Sequence, residues 1–402
     1  MDALREKIIA YADARLPVYR ALALDIHAHP EVSNHEFHAC EVLTRQLAAE
    51  GFEVKMDVAG HRTGFTGVYR SALPGPVLVF LAEYDALGGL GHGCGHNLFG
   101  PISILAAAAL RQVIDEVGGE VRVYGTPGEE GGENGSAKGS FVREGFLKDV
   151  DAALCVHPGD SNYATTPMLA CAPVDIEFWG KSAHAASAPQ EGINALDALI
   201  LTYNGINALR QHLPKDVMIH GIIVNGGKAP NAVPDYAAAK FYFRAATVPG
   251  LKAAYHRVEN IIAGAELMTG AKGRMQPYQN VVENMILTPT FDAVYAKYAA
   301  QFGEPLRPAA SKIGLGSSDV GNISQVVPTI QPTIRITEGP TPWHSEASKA
   351  AACSELGLRA IGIGAKALAL TALDLIEQPQ LLMHIKREHA AALQAQAAGG
   401  AR

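Results

Sequence analysis

The sequence lacks an excess of positive charge. Its 402 residues contain 33 Lys plus Arg against 40 Asp plus Glu, a formal net charge of −7, and they include no basic block or Arg-rich stripe. Binding to nucleic acid or to an anionic membrane surface depends on such clusters of positive charge. We therefore expect no nucleic-acid partner and no membrane partner.

Cysteines and long apolar runs are also scarce. The five cysteines are odd in number and share no repeated spacing, so the sequence predicts no disulfide framework. The apolar runs, such as residues 104–110, are too short to span a bilayer. The N-terminus is charged at Asp2, Arg5 and Glu6 and lacks the apolar stretch of a secretory signal. These absences indicate a soluble, cytoplasmic protein.

A dinucleotide-binding fingerprint is absent as well. The first strongly apolar strand candidate, residues 77–81, is not followed by a Gly-x-Gly-x-x-Gly run with its acidic residue further on. This argues against a cofactor-binding α/β protein, which the chain could otherwise resemble.

The composition is that of a folded chain, with 48% hydrophobic and 18% charged residues. Residues 77–81 form a continuous apolar run, which is typical of a strand buried on both faces. Candidate helices and strands alternate after it as far as residue 156. This alternation predicts an α/β domain with a mostly parallel sheet covered by helices.

A different order of elements begins near residue 173. Strand, helix, strand, strand, helix and strand follow one another over about a hundred residues, the order of a ferredoxin-like α+β unit. After it the chain returns to helices and one strand. We therefore predict a catalytic domain in two parts, residues 1–172 and 285–402, with a ferredoxin-like dimerisation or lid domain inserted at residues 173–284. The Ala- and Gln-rich tail, residues 390–402, is expected to fray.

Polar clusters follow three of the candidate parallel strands at the point where each strand ends. In open α/β sheets, ligands bind beyond the carboxyl ends of the strands, so these clusters can converge in space. A fourth cluster lies between a strand and a helix near the C-terminus. The clusters are Glu83-Tyr84-Asp85 with Gly91-His92-Gly93-Cys94-Gly95-His96-Asn97, residues 126–132, His157-Pro158 and Trp343-His344-Ser345.

These clusters offer thiolate, imidazole and carboxylate ligands for metals. The set suits zinc, and manganese, cobalt or nickel would also fit, whereas calcium and magnesium require more oxygen ligands. Five such side chains exceed the needs of one tetrahedral ion and predict two neighbouring divalent ions. Because Glu129 and Glu130 are adjacent, one can ligate while the other acts as a general base. Taken singly, each cluster could also be an ordinary turn or a solvated helix start.

Longer runs surround these clusters. They are Glu83-Tyr84-Asp85-Ala86-Leu87, Gly91 through Asn97, Thr126 through Gly132, Gly180 through Ala185, Asn231 through Asp235, and Ser318-Asp319. Together they resemble the aminoacylase-type dinuclear metallopeptidase and amidohydrolase family, peptidase family M20. The Glu-Tyr-Asp-Ala-Leu form is most similar to the branch of p-aminobenzoyl-glutamate utilisation proteins and β-alanyl-lysine-type dipeptidases. The resemblance extends over nearly the whole chain.

The resemblance implies roles for individual residues. It makes Glu129 the general base and Asp85 a carboxylate that orients a ligating imidazole. It implies that His184, Asn231 and Arg244 receive the substrate carboxylate and the developing oxyanion, with His184 acting across the interface of a homodimer. The metal ligands that it implies are Cys94, near the bridging position, and His96, Glu130, His157 and His344.

The implied function is hydrolysis of an amide bond in N-acyl amino acids, such as p-aminobenzoyl-glutamate, or in similar small amides. Two metal ions would polarise the carbonyl and activate a shared water, which Glu129 deprotonates before it protonates the leaving amine. Two alternatives stay open: a dipeptidase or carboxypeptidase acting on small dipeptides, and a non-catalytic partner subunit of such a hydrolase. Loss of the base or of a ligand would mark the partner subunit, and all six positions are filled in this chain.

Overall fold

The computed structural model describes residues 2–132, 134–311 and 316–399. The chain divides into two compact units. The first unit comprises the residues up to Pro167 together with Met285–Ala395, and the second comprises Met168–Asn284 together with the residues from Gln396 onward.

Helices and strands are numbered separately in chain order. The helices are α1 (Asp2–Ala28), α2 (Phe37–Ala49), α3 (His96–Val117), α4 (Ala137–Arg143), α5 (Ala195–Arg210), α6 (Val248–Thr269), α7 (Pro289–Gln301), α8 (Val320–Ser324), α9 (Glu346–Ala351), α10 (Glu355–Glu377) and α11 (Pro379–Gly399). The strands are β1 (Glu53–Val58), β2 (His61–Arg70), β3 (Val77–Ala82), β4 (Glu120–Gly125), β5 (Ala152–Leu154), β6 (His157–Gly159), β7 (Ala170–Trp179), β8 (Met218–Asn225), β9 (Tyr236–Ala245), β10 (Lys272–Pro277), β11 (Thr329–Ile330) and β12 (Thr333–Arg335).

The sheet of the first unit has the strand order β1-β2-β4-β3-β5-β11. Strands β4, β3, β5 and β11 pair in parallel, whereas β1 and β2 add an antiparallel edge. A separate parallel pair, β6 with β12, continues beyond β5 and β11. The predicted mostly parallel sheet is therefore confirmed, and the antiparallel edge at β1 and β2 was not among the predicted elements.

Helix α3 forms the centre of the first unit, where it packs against β3, α1 and α10. Contact on several sides explains its apolar sequence, because such a helix has little solvent-facing surface. Both α3 and α10 are long and apolar enough to cross a bilayer, which corrects the expectation that the apolar segments are too short. Their most apolar windows are 89% and 78% buried inside the unit, as core helices are.

Helix α1 ends at Ala28, two residues before Pro30, and α2 begins at Phe37. At the other end of the chain, the prediction of a frayed tail is wrong as far as residue 399, because α11 is helical to Gly399. The remaining tail residues, 400–402, lie outside the described part of the chain.

The second unit is a four-stranded antiparallel sheet with the order β10-β7-β9-β8. With α5 and α6 between the strands along the chain, this is the predicted β-α-β-β-α-β order. Strand β7 alternates buried Val174, Ile176 and Phe178 with more exposed Asp175 and Glu177. That alternation is expected for a sheet that is covered by helices on one face only.

Candidate metal centre

The loop between β3 and α3 positions Cys94 and His96. His96 is the first residue of α3, and Gly95 before it adopts a left-handed conformation with φ of 81°. A Cβ atom at Gly95 would lie 2.8 Å from the Cβ of Pro158. Glycine is therefore required at this turn, which brings the Cys94 and His96 backbone against the strand that carries His157.

Cys94 belongs to two groups of potential ligands. One group is Cys94 with His96 and His157, and the other is Cys94 with Glu130 and His344. Within each group, one ligand atom from every residue lies within 4.8 Å of the others. Two sets of three ligands that share one thiol are the arrangement expected for two neighbouring ions with a bridging ligand.

Asp85 orients His96. The Nδ1–H of His96 donates to Oδ1 of Asp85 at 2.8 Å, so Nε2 is the ring nitrogen that can ligate. The other oxygen of Asp85 accepts hydrogen bonds from the Glu130 backbone N–H at 2.9 Å and from the Ser33 hydroxyl at 3.0 Å. Burial would raise the pKa of Asp85, but His96 and these hydrogen bonds lower it to about 2. Asp85 is thus an ionised carboxylate that fixes both His96 and the Glu130 backbone.

His157 and His344 approach Cys94 and Glu130 from other elements. The Nδ1 of His157 lies 2.6 Å from the Pro158 carbonyl, so Nε2 faces the Cys94 sulfur at 3.7 Å. The Nε2 of His344 lies 3.5 Å from Oε1 of Glu130. The loop of His344 is tied to the Cys94 loop, because the Ser348 hydroxyl in α9 donates to the Gly93 carbonyl at 2.7 Å.

Glu129 lies beside the ligands in the loop after β4. One of its carboxylate oxygens lies within 4.8 Å of ligand atoms of both His96 and Glu130. Burial, together with the Glu83 and Glu130 carboxylates, raises the pKa of Glu129 well above its ordinary value. These surroundings favour the protonated form of the Glu129 carboxyl.

The donor atoms fit divalent ions of borderline softness. Among the described residues, Nε2 of His96 and Oε1 of Glu130 are buried without a hydrogen-bond partner. Burial and the Glu130 carboxylate raise the pKa of the Cys94 thiol, so ionisation of that thiol needs a nearby positive charge. Unpartnered lone pairs and a buried thiol together are what a bound transition ion satisfies.

A buried charge network lies next to this centre, and sequence reasoning missed it. The ammonium group of Lys138, in α4, lies 2.8 Å from Oε1 of Glu83 and 2.6 Å from Oδ1 of Asp319, and all three side chains are fully buried. The other oxygen of Glu83 lies 3.3 Å from Nε2 of His96. The only signal in the sequence was that Glu83 and Asp319 fall in the motifs that carry the family resemblance.

The catalytic candidate His184 and the substrate-binding candidates Asn231 and Arg244 lie in the second unit, where His184 and Asn231 are neighbours. His184 and Ala232 form a β-bridge, and the Ala185 N–H donates to the Asn231 carbonyl at 3.0 Å. Both His184 and Asn231 are exposed. Arg244 lies near the opposite end of β9, eight residue steps of about 3.3 Å, or about 26 Å, from the start of that strand. Within one chain, the second unit therefore does not bring Arg244 to His184 and Asn231.

Fold and side chains together define a metal-dependent hydrolase with an α/β unit and a ferredoxin-like unit. The chain is 33% identical to the Xaa-Arg dipeptidase of Mus musculus over 98% of this chain and 94% of that protein. Residues 172–265 match the model of the peptidase dimerisation domain. The chain belongs to the M20 peptidase family, and it is a hydrolase of that family.

Other similarities cover part of the chain in sequence or concern the fold alone. One of the subunits of the p-aminobenzoyl-glutamate hydrolase of Escherichia coli is 38% identical over 62% of this chain and 56% of that subunit. The crystal structure of the aminobenzoyl-glutamate utilization protein from Klebsiella pneumoniae has a TM-score of 0.72 at 20% identity, over 92% of this chain and 98% of that chain. A dinuclear metal-binding M20 peptidase from Bacillus subtilis has a TM-score of 0.67 at 21% identity, over 91% of this chain and 99% of that chain.

Proposed function

We propose that this protein hydrolyses the amide bond of small N-acyl amino acids, p-aminobenzoyl-glutamate-like amides among them. Two divalent ions, zinc being the first candidate, would be held by Cys94, His96, Glu130, His157 and His344. The observation that carries the proposal is that Cys94 is shared by two groups of potential ligands. When bound, such ions polarise a carbonyl oxygen and lower the pKa of a water between them.

Glu129 is the general base of this reaction. It accepts the proton of the attacking water and then gives it to the leaving amine, so that a carboxylic acid and an amine are released. Glu130 would be a metal ligand, because it forms a group of potential ligands with Cys94 and His344, and its backbone N–H donates to Asp85. Glu129 belongs to neither group that contains Cys94, and this difference supports its assignment as the base.

The second unit supplies groups that bind the substrate. Arg244 would pair with the carboxylate of the amino-acid product, and His184 with Asn231 would stabilise the oxyanion that develops on the carbonyl. One small substrate cannot bridge the length of β9 between Arg244 and the other two residues. A homodimer resolves this conflict, because each site can then take His184 and Asn231 from one chain and Arg244 from the other.

The second unit also has a surface suited to dimer formation. Strand β8 lies at one edge of its sheet, where backbone hydrogen-bonding groups are available to another strand. Its side chains include exposed Met218, Ile222, Ile223 and Val224, with Ile222 65% exposed. An apolar edge strand is a natural contact between two copies, and we place the dimer interface within residues 173–284.

A dipeptidase is the second candidate function. The similarity to Xaa-Arg dipeptidase extends over nearly the whole chain, whereas the p-aminobenzoyl-glutamate hydrolase subunit, although more identical, aligns with a smaller part of it. Both reactions use the same base and the same ions, and they differ in the group on the far side of the amide bond. A non-catalytic partner subunit is disfavoured because the base and all five ligand positions carry groups that can act.

A substrate panel separates these functions. We expect measurable hydrolysis of p-aminobenzoyl-glutamate or of other N-acyl amino acids by metal-loaded protein, and loss of activity after a chelator removes the ions. Adding back zinc or manganese should restore turnover. Cleavage of dipeptides with a basic C-terminal residue, and not of N-acyl amino acids, would favour the dipeptidase. Full activity in protein that elemental analysis shows to be free of transition metal would contradict both.

His184→Ala should reduce turnover without changing metal content, because His184 lies in the second unit, outside the ligand groups. The shared site is tested by mixing His184→Ala with Glu129→Gln, each nearly inactive alone. Every mixed dimer then has one site with an intact Glu129 and with His184 of the partner subunit. At equal mixing, half of the dimers are mixed, so about a quarter of wild-type activity should return.

The control for this mixture replaces the Glu129→Gln chain with a chain that carries both substitutions. Its mixed dimers contain no intact site, and activity should stay at the level of the single variants. If verified subunit exchange between His184→Ala and Glu129→Gln restores no activity, each chain uses its own His184 or the residue does not act in catalysis.

A further inference from the structure

A separate group of potential ligands lies at the junction of α1 and α2 and shares no residue with the three groups at the candidate metal centre. Asp25 is in the last turn of α1, His29 follows the end of that helix, and His38 is the second residue of α2. One ligand atom from each of these residues lies within 4.8 Å of the others. We call these three residues the α1–α2 cluster.

The side chains of the α1–α2 cluster converge on one carboxylate. The Nε2 of His38 lies 2.9 Å from Oδ2 of Asp25, and the Nδ1 of His29 lies 3.2 Å from Oδ1 of the same carboxylate and 2.8 Å from the Asp25 backbone carbonyl oxygen. The two imidazole rings are inclined to each other by 50°, with centroids 4.5 Å apart. Since each imidazole lies near one oxygen of the same carboxylate, the three side chains are close enough for a single ion to bind all of them.

The donor set selects the class of ion. Two imidazole nitrogens and one carboxylate oxygen suit zinc, nickel or copper, and calcium and magnesium would require more oxygens. Side-chain exposures of 58% for His29, 40% for Asp25 and 35% for His38 leave access from solvent. Water can therefore complete a tetrahedral shell around three protein ligands.

The loop between the helices connects this cluster to the catalytic motifs. Its inner side reaches Asp85 through the Ser33 hydroxyl at 3.0 Å. Glu36, at the end of the loop, accepts a hydrogen bond from the Gly128 N–H at 3.0 Å, next to Glu129. The backbone carbonyl of Glu31 accepts from the Ala86 N–H at 2.8 Å. Cross-linking α1 to α2 would therefore restrain a segment that supports Asp85 and the turn before Glu129.

We propose that Asp25, His29 and His38 form an additional metal site, for zinc or a similar borderline divalent ion, that fastens α1 to α2. The ion has a structural role at this position, because the cluster contributes no group to the reacting atoms. It restricts opening of residues 29–36, whose inner contacts hold Asp85 in place. The proposal does not depend on the substrate or on the mechanism given above.

Zinc stoichiometry tests the proposal directly. Purified enzyme with its catalytic ions loaded is equilibrated with a buffered excess of free Zn²⁺, and bound zinc per chain is measured by elemental analysis. The His29→Gln/His38→Gln variant should bind about one ion fewer than wild type. His35→Gln is the matched control, because His35 is an exposed histidine of the same loop outside the cluster, and it should bind as much as wild type.

Amide hydrogen exchange gives a second measurement on the same samples. Added Zn²⁺ should slow exchange of residues 29–38 in wild type and in His35→Gln, and leave it unchanged in His29→Gln/His38→Gln. Equal zinc content in wild type and the double variant would overturn the proposal, since any extra ion would then lie elsewhere. Loss of an ion without any change in loop exchange would support the metal site but overturn its role in restraining residues 29–36.

Discussion

Replacing Glu129 with glutamine is expected to lower kcat by at least about 10²-fold while metal content stays near that of the wild type. Glutamine has the shape of glutamate but cannot accept the proton of the attacking water. The side-chain amide has almost the same volume as the carboxyl group, so a large change in rate should follow from a small change in structure.

Glu130→Gln is the matched control, because the two glutamates are adjacent and differ in their surroundings. Glu130 belongs to the ligand group with Cys94 and His344, so its substitution should lower the metal content as well as the rate. The measurement is kcat on the best substrate of the panel, with elemental analysis of each preparation. Near wild-type turnover by Glu129→Gln would exclude it as the base, and normal metal content in Glu130→Gln would remove it from the ligand set.

The first unit's central fold could be predicted from sequence because its signals are local. The continuous apolar run at β3 and the glycine-rich loop after it are contiguous, and the polar residues needed for chemistry come directly after the strand. Parallel pairing of β3 with β4 and β5 then brings distant loops to the same edge. The order of the strands in the sheet therefore predicts which loops meet, whereas the spacing of residues along the chain does not.

Strands β1 and β2 were not predicted on the same grounds. The sequence of β1 alternates apolar Val54, Met56 and Val58 with charged residues, so the period-2 signal of a strand is present there and was missed. Strand β2 contains Gly67, which normally weakens a strand. In the structure a Cβ at Gly67 would lie 2.2 Å from a methyl carbon of Leu47, so this glycine permits close packing of α2 on the sheet. Glycine is needed at position 67 because α2 and β2 come close together there. A local sequence pattern does not reveal such a contact.

The network of Lys138, Glu83 and Asp319 was missed for a similar reason. Lys138 and Asp319 are 181 positions apart along the chain, and no periodicity marks two charges that pair over such a separation. A lysine near a helix start is ordinarily an exposed residue. Folding buries these three charges in contact with one another. Their contribution to the stability of the first unit can therefore be recognised only from the structure.

Lys138→Met is expected to destabilise the first unit by about 3–5 kcal/mol, because it leaves two buried carboxylates without their counter-charge. The Lys138, Glu83 and Asp319 side chains are 0% exposed, so water cannot replace the lost ammonium. Burial lowers the pKa of Lys138, but the Asp319 and Glu83 carboxylates raise it by more, so the pKa lies above its ordinary value. The ammonium group is thus charged at neutral pH, and methionine removes that charge from a similar volume.

Urea unfolding of metal-free protein measures this loss without a contribution from bound ions. Of the two tryptophans, Trp343 lies in the first unit and Trp179 in the second. In a Trp179→Phe background, fluorescence of Trp343 therefore reports on the first unit separately. Lys148→Met is the matched control, because Lys148 is exposed a few residues further on, and its substitution should change the free energy of unfolding by less than about 0.5 kcal/mol.

A double-mutant cycle with Asp319→Asn separates lost charge pairing from lost packing. Asp319→Asn alone also breaks the network, but in the Lys138→Met background it removes one of the two unpaired charges. The double variant should therefore be more stable than the sum of the two single losses predicts, with a coupling of about 1–3 kcal/mol. A loss below about 1 kcal/mol for Lys138→Met would show that relaxation or water entry solvates the carboxylates. Strict additivity in the cycle would show that Lys138 stabilises the unit by packing, because a true charge pair cannot be removed twice.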